Sequence, residues 1–235
     1  QISGIDLFNH ILRHKAIESR GSMWYNTPME PKTDQLGNYA FIDSQNLNLS
    51  IREMGWPLDH KRFRAYLEEN YNVVKAYIFV GFIEGHEDLY NTLEAAGFVC
   101  IYKPTIEHKD GTTKGNCDAE LVLQAMIDYN LYDKAVVISG DGDFQCLVKY
   151  FIEQDKLLNL IIPNRNKYSA LYKEDMFEPY LHFMNNLKGQ LAYKKHRPKA
   201  KPKKGEEKSV EESKPKDDQD PLAVLHDEIE KYFDW

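Results

Sequence analysis

Four aspartates occur in three short motifs separated along the chain, and their carboxylates could together hold metal ions. Carboxylates that converge on one crevice repel each other, so some must bind protons unless a cation compensates them. Mg²⁺ and Mn²⁺ prefer oxygen ligands. Two such ions, roughly 3.5 to 4 Å apart, can activate a water and stabilise the leaving oxygen of a phosphodiester. We predict that the catalytic and metal-binding residues are Asp43, Asp118, Asp141 and Asp143.

Three further residues near these acids are predicted to bind the substrate. Asn46 lies three residues after Asp43 and could orient a ligand or a scissile phosphate. Lys114 precedes Asp118 in a polar loop and could meet a phosphate as a point charge. Ser139 opens the turn that carries the last two acids.

Each acid also has a purely structural interpretation. Asp43 could be a turn residue, Asp118 a helix N-cap, and the pair Asp141 and Asp143 a capped turn, because Asp is favoured at both kinds of position. The residue types alone do not decide between capping and catalysis.

The acids must be positioned by alternating strands and helices. Ala135 to Ile138 is an unbroken apolar run, typical of a strand buried on both faces. Gly140 and Gly142 then permit backbone angles that other residues resist, and a helical pattern follows. Five core strands are predicted, at 39–42, 73–80, 98–102, 135–138 and 157–162. Helices are predicted at 59–70, 87–96, 118–129, 144–154 and 176–187.

This alternation predicts an α/β fold with a doubly wound, mainly parallel five-stranded sheet and helices on both faces. In such a sheet the strands that end at Asp43 and before Asp141 should be neighbours where the strand order reverses. That crevice is the default binding site. We therefore expect Asp43 to face Asp141 and Asp143.

Composition indicates a globular chain without a membrane segment. The 235 residues carry a formal charge of -7, from 30 basic and 37 acidic residues, so the overall charge does not announce a polyanion partner. The three cysteines have no paired spacing, which argues against a disulfide framework or a zinc knuckle. No apolar run approaches the roughly 18 to 20 residues that span a bilayer. We expect a cytoplasmic protein that does not enter membranes.

Changes in composition divide the chain into five parts. Residues 1–22 are interpreted as a tag or fusion segment, because Gly21-Ser22-Met23 resembles a cloning junction. Residues 23–38 form an N-terminal arm, 39–187 the catalytic domain, and 188–220 a charged disordered linker. Residues 221–235 are predicted to form an amphipathic C-terminal helix.

The two C-terminal parts suggest partners. Leu222, Leu225, Ile229 and Phe233 recur at helical spacing and could fill a groove on a partner protein or dock on the domain. A Lys-rich run at 194–204 could add salt-dependent affinity for nucleic acid, although such runs are usually only solvated tails.

The three acidic motifs together resemble those of the NYN domain family of PIN-like nucleases. The matching segments are 39–46 with Asp43 and Asn46, 114–118 with Lys114 and Asp118, and 139–144 with Asp141 and Asp143. A fourth segment around 169–177 is similar to the end of that domain. The resemblance implies a PIN-like fold and metal-dependent RNA cleavage by the four aspartates. Ser44 stands where the family often has glycine, which bears on loop shape.

Two hypotheses from different classes follow. The first is a Mg²⁺- or Mn²⁺-dependent ribonuclease that hydrolyses RNA, chiefly single-stranded, through the four carboxylates. The second is a noncatalytic RNA-binding or scaffold module that recruits a partner through residues 221–235. Cleavage of DNA or nucleotides by the same site is a third possibility. The four mutually repelling acids favour a catalytic site, because a scaffold does not need them.

Overall fold

The computed structural model describes residues 36–82, 84–104, 106–107, 113–114 and 116–194. Side chains between 104 and 115 are outside this description. Within the described residues, no helix has both the length and the apolar character needed to cross a membrane. The predicted tag, most of the arm, most of the linker and the C-terminal helix lie outside the described residues.

Six parallel strands form the central sheet. In spatial order they run β3-β2-β1-β6-β7-β8, so the order reverses between β1 and β6. Every neighbouring pair is parallel. A separate antiparallel pair, β4 and β5, follows β3. The strands are β1 Asn38–Asp43, β2 Val73–Phe82, β3 Val99–Pro104, β4 Ile106–Glu107, β5 Thr113–Lys114, β6 Ala135–Ile138, β7 Leu157–Ile162 and β8 Leu181–Phe183.

Six α-helices and four short 3₁₀ helices connect the described strands. The α-helices are α1 Ser44–Glu53, α2 His60–Tyr71, α3 Glu87–Ala95, α4 Asp118–Ile127, α5 Gln145–Glu153 and α6 Lys188–Leu191. The 3₁₀ helices are Gly142–Phe144, Ala170–Lys173, Glu178–Tyr180 and Met184–Asn186. The α/β fold with a parallel, doubly wound sheet is confirmed, and so are the five predicted strands.

The sheet is buried on both faces because its strands send alternate side chains into two separate cores. In β1, Ala40 and Ile42 join one cluster, whereas Tyr39 and Phe41 join the other. The first cluster includes residues of α1, α2, α3 and α6, and the second includes residues of α4 and α5. Every residue of β6 is buried, as expected for a strand covered by helices on both sides.

The helix predicted at 176–187 is wrong, and the sheet has six strands where five were predicted. This region contains two 3₁₀ helices and between them β8, a sixth strand paired with β7. Pro179 has no backbone N–H to donate within a helix, and its ring blocks helical packing of the preceding turn. Leu181 and Phe183 contact the second core on one side of β8, while His182 is exposed.

The folded chain continues past residue 187. Leu191 of α6 is buried, and Ala192 forms an antiparallel bridge with Leu58. Two backbone bonds hold this segment: Asp59 N donates to Leu191 O at 2.8 Å, and Tyr193 N donates to Pro57 O at 3.0 Å. The residues just after the predicted domain boundary therefore pack on the connection between α1 and α2.

A buried histidine at the start of α2 should make stability depend on pH. His60 is buried against Phe98, and none of the described residues forms a hydrogen bond with its Nε2 atom. Burial lowers the pKa of His60 to about 4, although Asp59 opposes the shift. The unfolded chain binds a proton near pH 6.5. Between those values the unfolded state therefore holds more protons, and His60 makes stability fall as pH falls.

We predict that His60→Phe removes this part of the pH dependence. Between pH 7 and pH 4 the wild type should lose about 3 kcal/mol more unfolding free energy than the variant. Urea unfolding of both proteins across that range measures it. Contributions of other groups, including Asp43, cancel in the comparison. Parallel stability curves for the two proteins would contradict a neutral, desolvated His60.

Candidate metal and nucleic-acid site

The reversal of strand order brings the first and last acidic motifs together. Ile42 of β1 lies opposite Ile138 of β6 in parallel register. The next residue on one strand is Asp43, and the residues following the other are Ser139 to Asp143. Both motifs therefore leave the sheet at its carboxyl edge, side by side. The predicted crevice is at this position, as expected for an open α/β sheet.

One serine hydroxyl connects the two motifs. Ser139 Oγ donates to Asp43 Oδ2 at 3.0 Å and accepts from the backbone N–H of Asp141 at 3.1 Å. Ser139 is completely buried. This hydroxyl thus fixes the Asp43 carboxylate relative to the turn that carries Asp141. Ser139 therefore positions the acids from the buried side of the site.

A second connection comes from the amide of Asn46 in the first turn of α1. Asn46 Oδ1 accepts the backbone N–H of Gly140 at 2.8 Å. The backbone N–H of Asn46 is in turn bound by Asp43 Oδ1 at 3.0 Å. Asn46 also lines the open cleft described below. It therefore joins α1 to the β6 turn while remaining next to the space a ligand would occupy.

Three of the four predicted acids form a compact cluster. Asp118, Asp141 and Asp143 each offer a carboxylate oxygen, and these oxygens all lie within 4.8 Å of one another. Asp118 enters from the start of α4, where Asn116 Nδ2 donates to its Oδ2 at 2.7 Å. Asp43 is adjacent to this cluster, and the charges of Asp118 and Asp141 act on it.

Burial and neighbouring charges change the pKa of two of the acids. Burial raises the pKa of Asp43 to about 6, helped by Asp118 and Asp141 and opposed by the bonds from Asn46 and Ser139. Burial also raises the pKa of Asp118; Asp141 and Asp143 add to the rise, whereas Asn116 and Lys103 oppose it. Burial is the largest cause of both shifts, and the neighbouring like charges add to it.

Capping is real at two of the acids and absent at a third. Asp43 caps α1, and Asp141 Oδ1 caps the following 3₁₀ helix by accepting from Asp143 N at 3.1 Å. Asp118 is the first residue of α4 and not its cap. Each cap uses a single oxygen of its carboxylate. Capping therefore explains neither Asp118 nor the convergence of three acids.

The glycines of the β6 turn are required for space. Neither Gly140 nor Gly142 has a positive φ, so the expectation of unusual backbone angles is wrong. A Cβ at Gly142 would instead overlap the Ser169 side chain, and one at Gly140 would lie 3.2 Å from Tyr168 Cβ. The segment after β7 thus lies directly against the turn that carries the acids.

That segment, residues 167–172, forms the other wall of the site. Ser169 N donates to Gly140 O at 2.9 Å, and Tyr172 OH donates to Asp141 O at 2.7 Å. An open cleft of about 430 Å³ separates the two walls. Its lining residues are Asn46, Gly140, Asp141, Gly142, Asp143, Lys167, Tyr168, Ser169 and Leu171.

Several lining residues were not predicted from sequence. Ser169 and Leu171 belong to a segment whose signal was its similarity to the end of the NYN domain, and Lys167 lies just before that segment. Two tyrosines of this segment could in principle stack bases, but Tyr172 is fully buried and Tyr168 packs edge-on against Phe183. The backbone of Lys114 lies in β5, and its side chain is outside the described part of the chain.

Comparison with known proteins agrees with this geometry. The chain matches the family model of the NYN domain over residues 39–178, which includes all four acids. It is 27% identical to the low amplitude and bright protein LabA of Synechococcus elongatus, over an alignment covering 45% of this chain and 62% of that protein. The chain thus spans less than two thirds of this relative.

A solved structure shares the fold. A protein of unknown function from Vibrio parahaemolyticus superposes with a TM-score of 0.51 at 23% sequence identity. The match covers 63% of this chain and 99% of that one. The family match spans more than half of the chain, and the motifs that carry Asp43, Asp141 and Asp143 lie at the carboxyl edge of the six-stranded sheet. The chain therefore belongs to the NYN domain family and has its PIN-like nuclease fold.

Proposed function

We propose that the protein is a Mg²⁺- or Mn²⁺-dependent ribonuclease that hydrolyses phosphodiester bonds of single-stranded RNA. The observation that carries this proposal is the convergence of Asp118, Asp141 and Asp143, whose carboxylate oxygens lie within 4.8 Å of one another. They come from two separate segments and meet beside Asp43. NYN domains are generally nucleases that use divalent metals, and the cluster of Asp118, Asp141 and Asp143 is compatible with such chemistry.

The donor set fits a hard divalent cation. All the converging ligand atoms are carboxylate oxygens, which Mg²⁺ and Mn²⁺ prefer over nitrogen or sulfur ligands. Burial and the neighbouring acids raise the pKa of Asp43 and Asp118, and a bound cation would favour the ionised form of both carboxyls. When bound, such a cation lowers the pKa of a coordinated water and stabilises charge on the departing oxygen.

The chain's own residues have distinct roles in this proposal. Asp118, Asp141 and Asp143 hold the cation, and Asp43 completes the acidic set from β1. Ser139 and Asn46 fix Asp43 and the β6 turn in register, so the acids do not have to reorganise before reaction. Lys114 remains a candidate for phosphate binding from the loop before α4.

The alternative is an RNA-binding or scaffold module without catalysis. Its central feature, residues 221–235, lies outside the described residues, and the geometry offers it no specific support. The buried serine that positions two acids favours catalysis, because a scaffold gains nothing from holding repelling carboxylates in fixed register.

Cleavage assays on the 235-residue chain separate these possibilities. Labelled single-stranded RNA, duplex RNA and single-stranded DNA should each be incubated with Mg²⁺, Mn²⁺ or EDTA. We expect metal-dependent cleavage of single-stranded RNA that EDTA abolishes. RNA binding without cleavage would support the scaffold alternative, and preferential cleavage of DNA would change the proposed substrate.

We predict that Asp141→Asn separates activity from stability. Asn keeps the cap on Asp143 N but removes a charged ligand, so cleavage should fall by about 100-fold or more. This bound is conservative, because residues that only orient metal ligands are worth about 10- to 100-fold. In EDTA the variant should melt at or above the wild-type temperature, since a repulsive charge is removed.

Asp133→Asn is the matched control for this substitution. It makes the same charge change just before β6, at the opposite end of the strand from the acids. It should leave cleavage unchanged. Wild-type cleavage by Asp141→Asn would refute the metal site, and a large loss of melting temperature in EDTA would instead favour a mainly structural role.

We also predict that metal affinity depends on pH through Asp43. A protonated carboxyl is a poor ligand, so Mn²⁺ affinity should fall as pH drops through about 6, the pKa of buried Asp43. Ser139→Ala removes a donor that favours the ionised form. The drop in affinity should then begin at a higher pH.

Calorimetric Mn²⁺ titrations across pH measure this shift. Ser50→Ala is the control. Ser50 is a buried serine of α1, and its substitution should leave the pH dependence of Mn²⁺ affinity as in the wild type. Ser139→Ala should also lose about 1–3 kcal/mol of stability, because Asp141 N–H loses its acceptor. Coincident pH profiles for Ser139→Ala and wild type would rule out this positioning role.

A further inference from the structure

The cleft beside the acids is bounded by a cation and an apolar side chain that belong to one short segment. The Lys167 side chain is 64% exposed, and Leu171 is 49% exposed. Among the residues described as lining the cleft, Lys167 is the only cation, whereas Asp141 and Asp143 are acidic. Of the described lining residues, Lys167 is therefore the one that offers a polyanion a favourable charge.

The segment is fixed to the acidic turn by direct contacts. Ser169 N donates to Gly140 O, and Tyr172 OH donates to Asp141 O. Leu171 lies close to Gly142, where an added Cβ would be 3.1 Å from its Cδ1 atom. Lys167 and Leu171 consequently have a defined position relative to Asp141 before any ligand arrives. Such preorganisation reduces the ordering cost of binding.

The dimensions of the cleft suit one nucleotide. Its volume of about 430 Å³ falls within the range of about 300 to 1,000 Å³ that is usual for small-molecule sites. A nucleobase has an apolar face, a backbone phosphate carries one negative charge, and both can contact protein when the strand is unpaired. In a duplex the bases are stacked and paired, so their faces cannot enter such a space.

We propose that this cleft is a single-nucleotide subsite for single-stranded RNA. Lys167 contacts the backbone phosphate of the nucleotide next to the cleaved bond, and Leu171 packs against its base. The adjacency to a cleaved bond rests on the proposed nuclease function, whereas the binding contacts can be tested without cleavage. Nothing in the motif pattern assigns a role to either residue.

Glu53 controls the charge of this subsite in the free protein. At the end of α1, its carboxylate forms an ion pair with Lys167. The Glu53 side chain is 43% exposed, so the pair is accessible to solvent and can be exchanged for a phosphate. RNA must compete with Glu53 for the lysine. Removing the carboxylate should therefore strengthen RNA binding.

Fluorescence anisotropy with short labelled single-stranded RNA tests the subsite. The 235-residue chain is used, and EDTA prevents metal-dependent cleavage during the measurement. Lys167→Gln should weaken binding about threefold to tenfold, the effect of losing one exposed charge-assisted contact. It should also reduce the slope of log affinity against log salt by about 0.7, the value for one phosphate on a single strand. Lys149→Gln, an exposed lysine of α5, is the control and should change neither quantity.

Leu171→Ser tests the base contact. Affinity should fall about fivefold, because part of an apolar burial is lost, and the salt slope should stay at its wild-type value. Leu123→Ser is the matched control, since Leu123 is an exposed leucine of α4, 60% accessible, that does not line the cleft. Both effects should be confined to single-stranded RNA and be absent with duplex RNA.

Glu53→Gln should have the opposite effect on the affinity for RNA. It should tighten binding about threefold by releasing Lys167 and removing a repulsive charge, and this gain should vanish when combined with Lys167→Gln. Thermal melting of each variant confirms that these exposed substitutions leave the fold intact.

The outcomes separate the subsite from the nuclease proposal. Lys167→Gln behaving like Lys149→Gln, or Leu171→Ser like Leu123→Ser, would overturn the subsite even if Asp141→Asn abolishes cleavage. Conversely, the predicted binding effects in a protein that cleaves no RNA would uphold the subsite and refute the nuclease. Equal effects on duplex RNA would overturn the assignment to unpaired strands.

Discussion

The parallel pairing of β1 with β6 is the constraint on which the site depends. These strands are distant in sequence, yet their pairing sets Asp43 beside the turn that carries Asp141 and Asp143. A slip of one residue would turn β1 side chains to the opposite face of the sheet and exchange its two cores. The alternation of Ala40 and Ile42 with Tyr39 and Phe41 prevents that slip. Hydrophobic burial thereby fixes the relative position of the charged groups.

Among the described residues, neutral hydrogen-bonding groups hold the acids in position. The hydroxyl of Ser139 and the amide of Asn46 connect β1, α1 and the β6 turn. Arg or Lys at these positions would neutralise the carboxylates and remove their demand for a cation. Neutral donors orient them and leave much of their charge uncompensated. The raised pKa of Asp43 reflects this arrangement, since burial outweighs the two hydrogen bonds.

The sequence predicted most of the sheet and the location of the acids, because long apolar runs and turn residues are strong local signals. It did not assign α1, whose pattern of Asn and Ser is too polar to indicate a helix without its Asp43 cap. It placed a helix over β8, because the apolar spacing there fits both periods and only Pro179 argues against a helix. The wall formed by residues 167–172 depends on contacts between loops far apart in sequence. Local patterns carry no information about such contacts.

Gly142 has a consequence for how this protein can change. A hydrogen atom in place of a methyl group lets residues 167–172 lie against the acidic turn, since any Cβ there would meet Ser169. By contrast, a Cβ added at Gly55 would have no atom within 4 Å. Only the φ of +72° favours glycine at that position. Alanine at position 142 would drive the two walls apart and widen the cleft while all four carboxylates remained. The residue at position 142 therefore sets the distance between the acidic turn and residues 167–172. A single substitution there would change the width of the cleft.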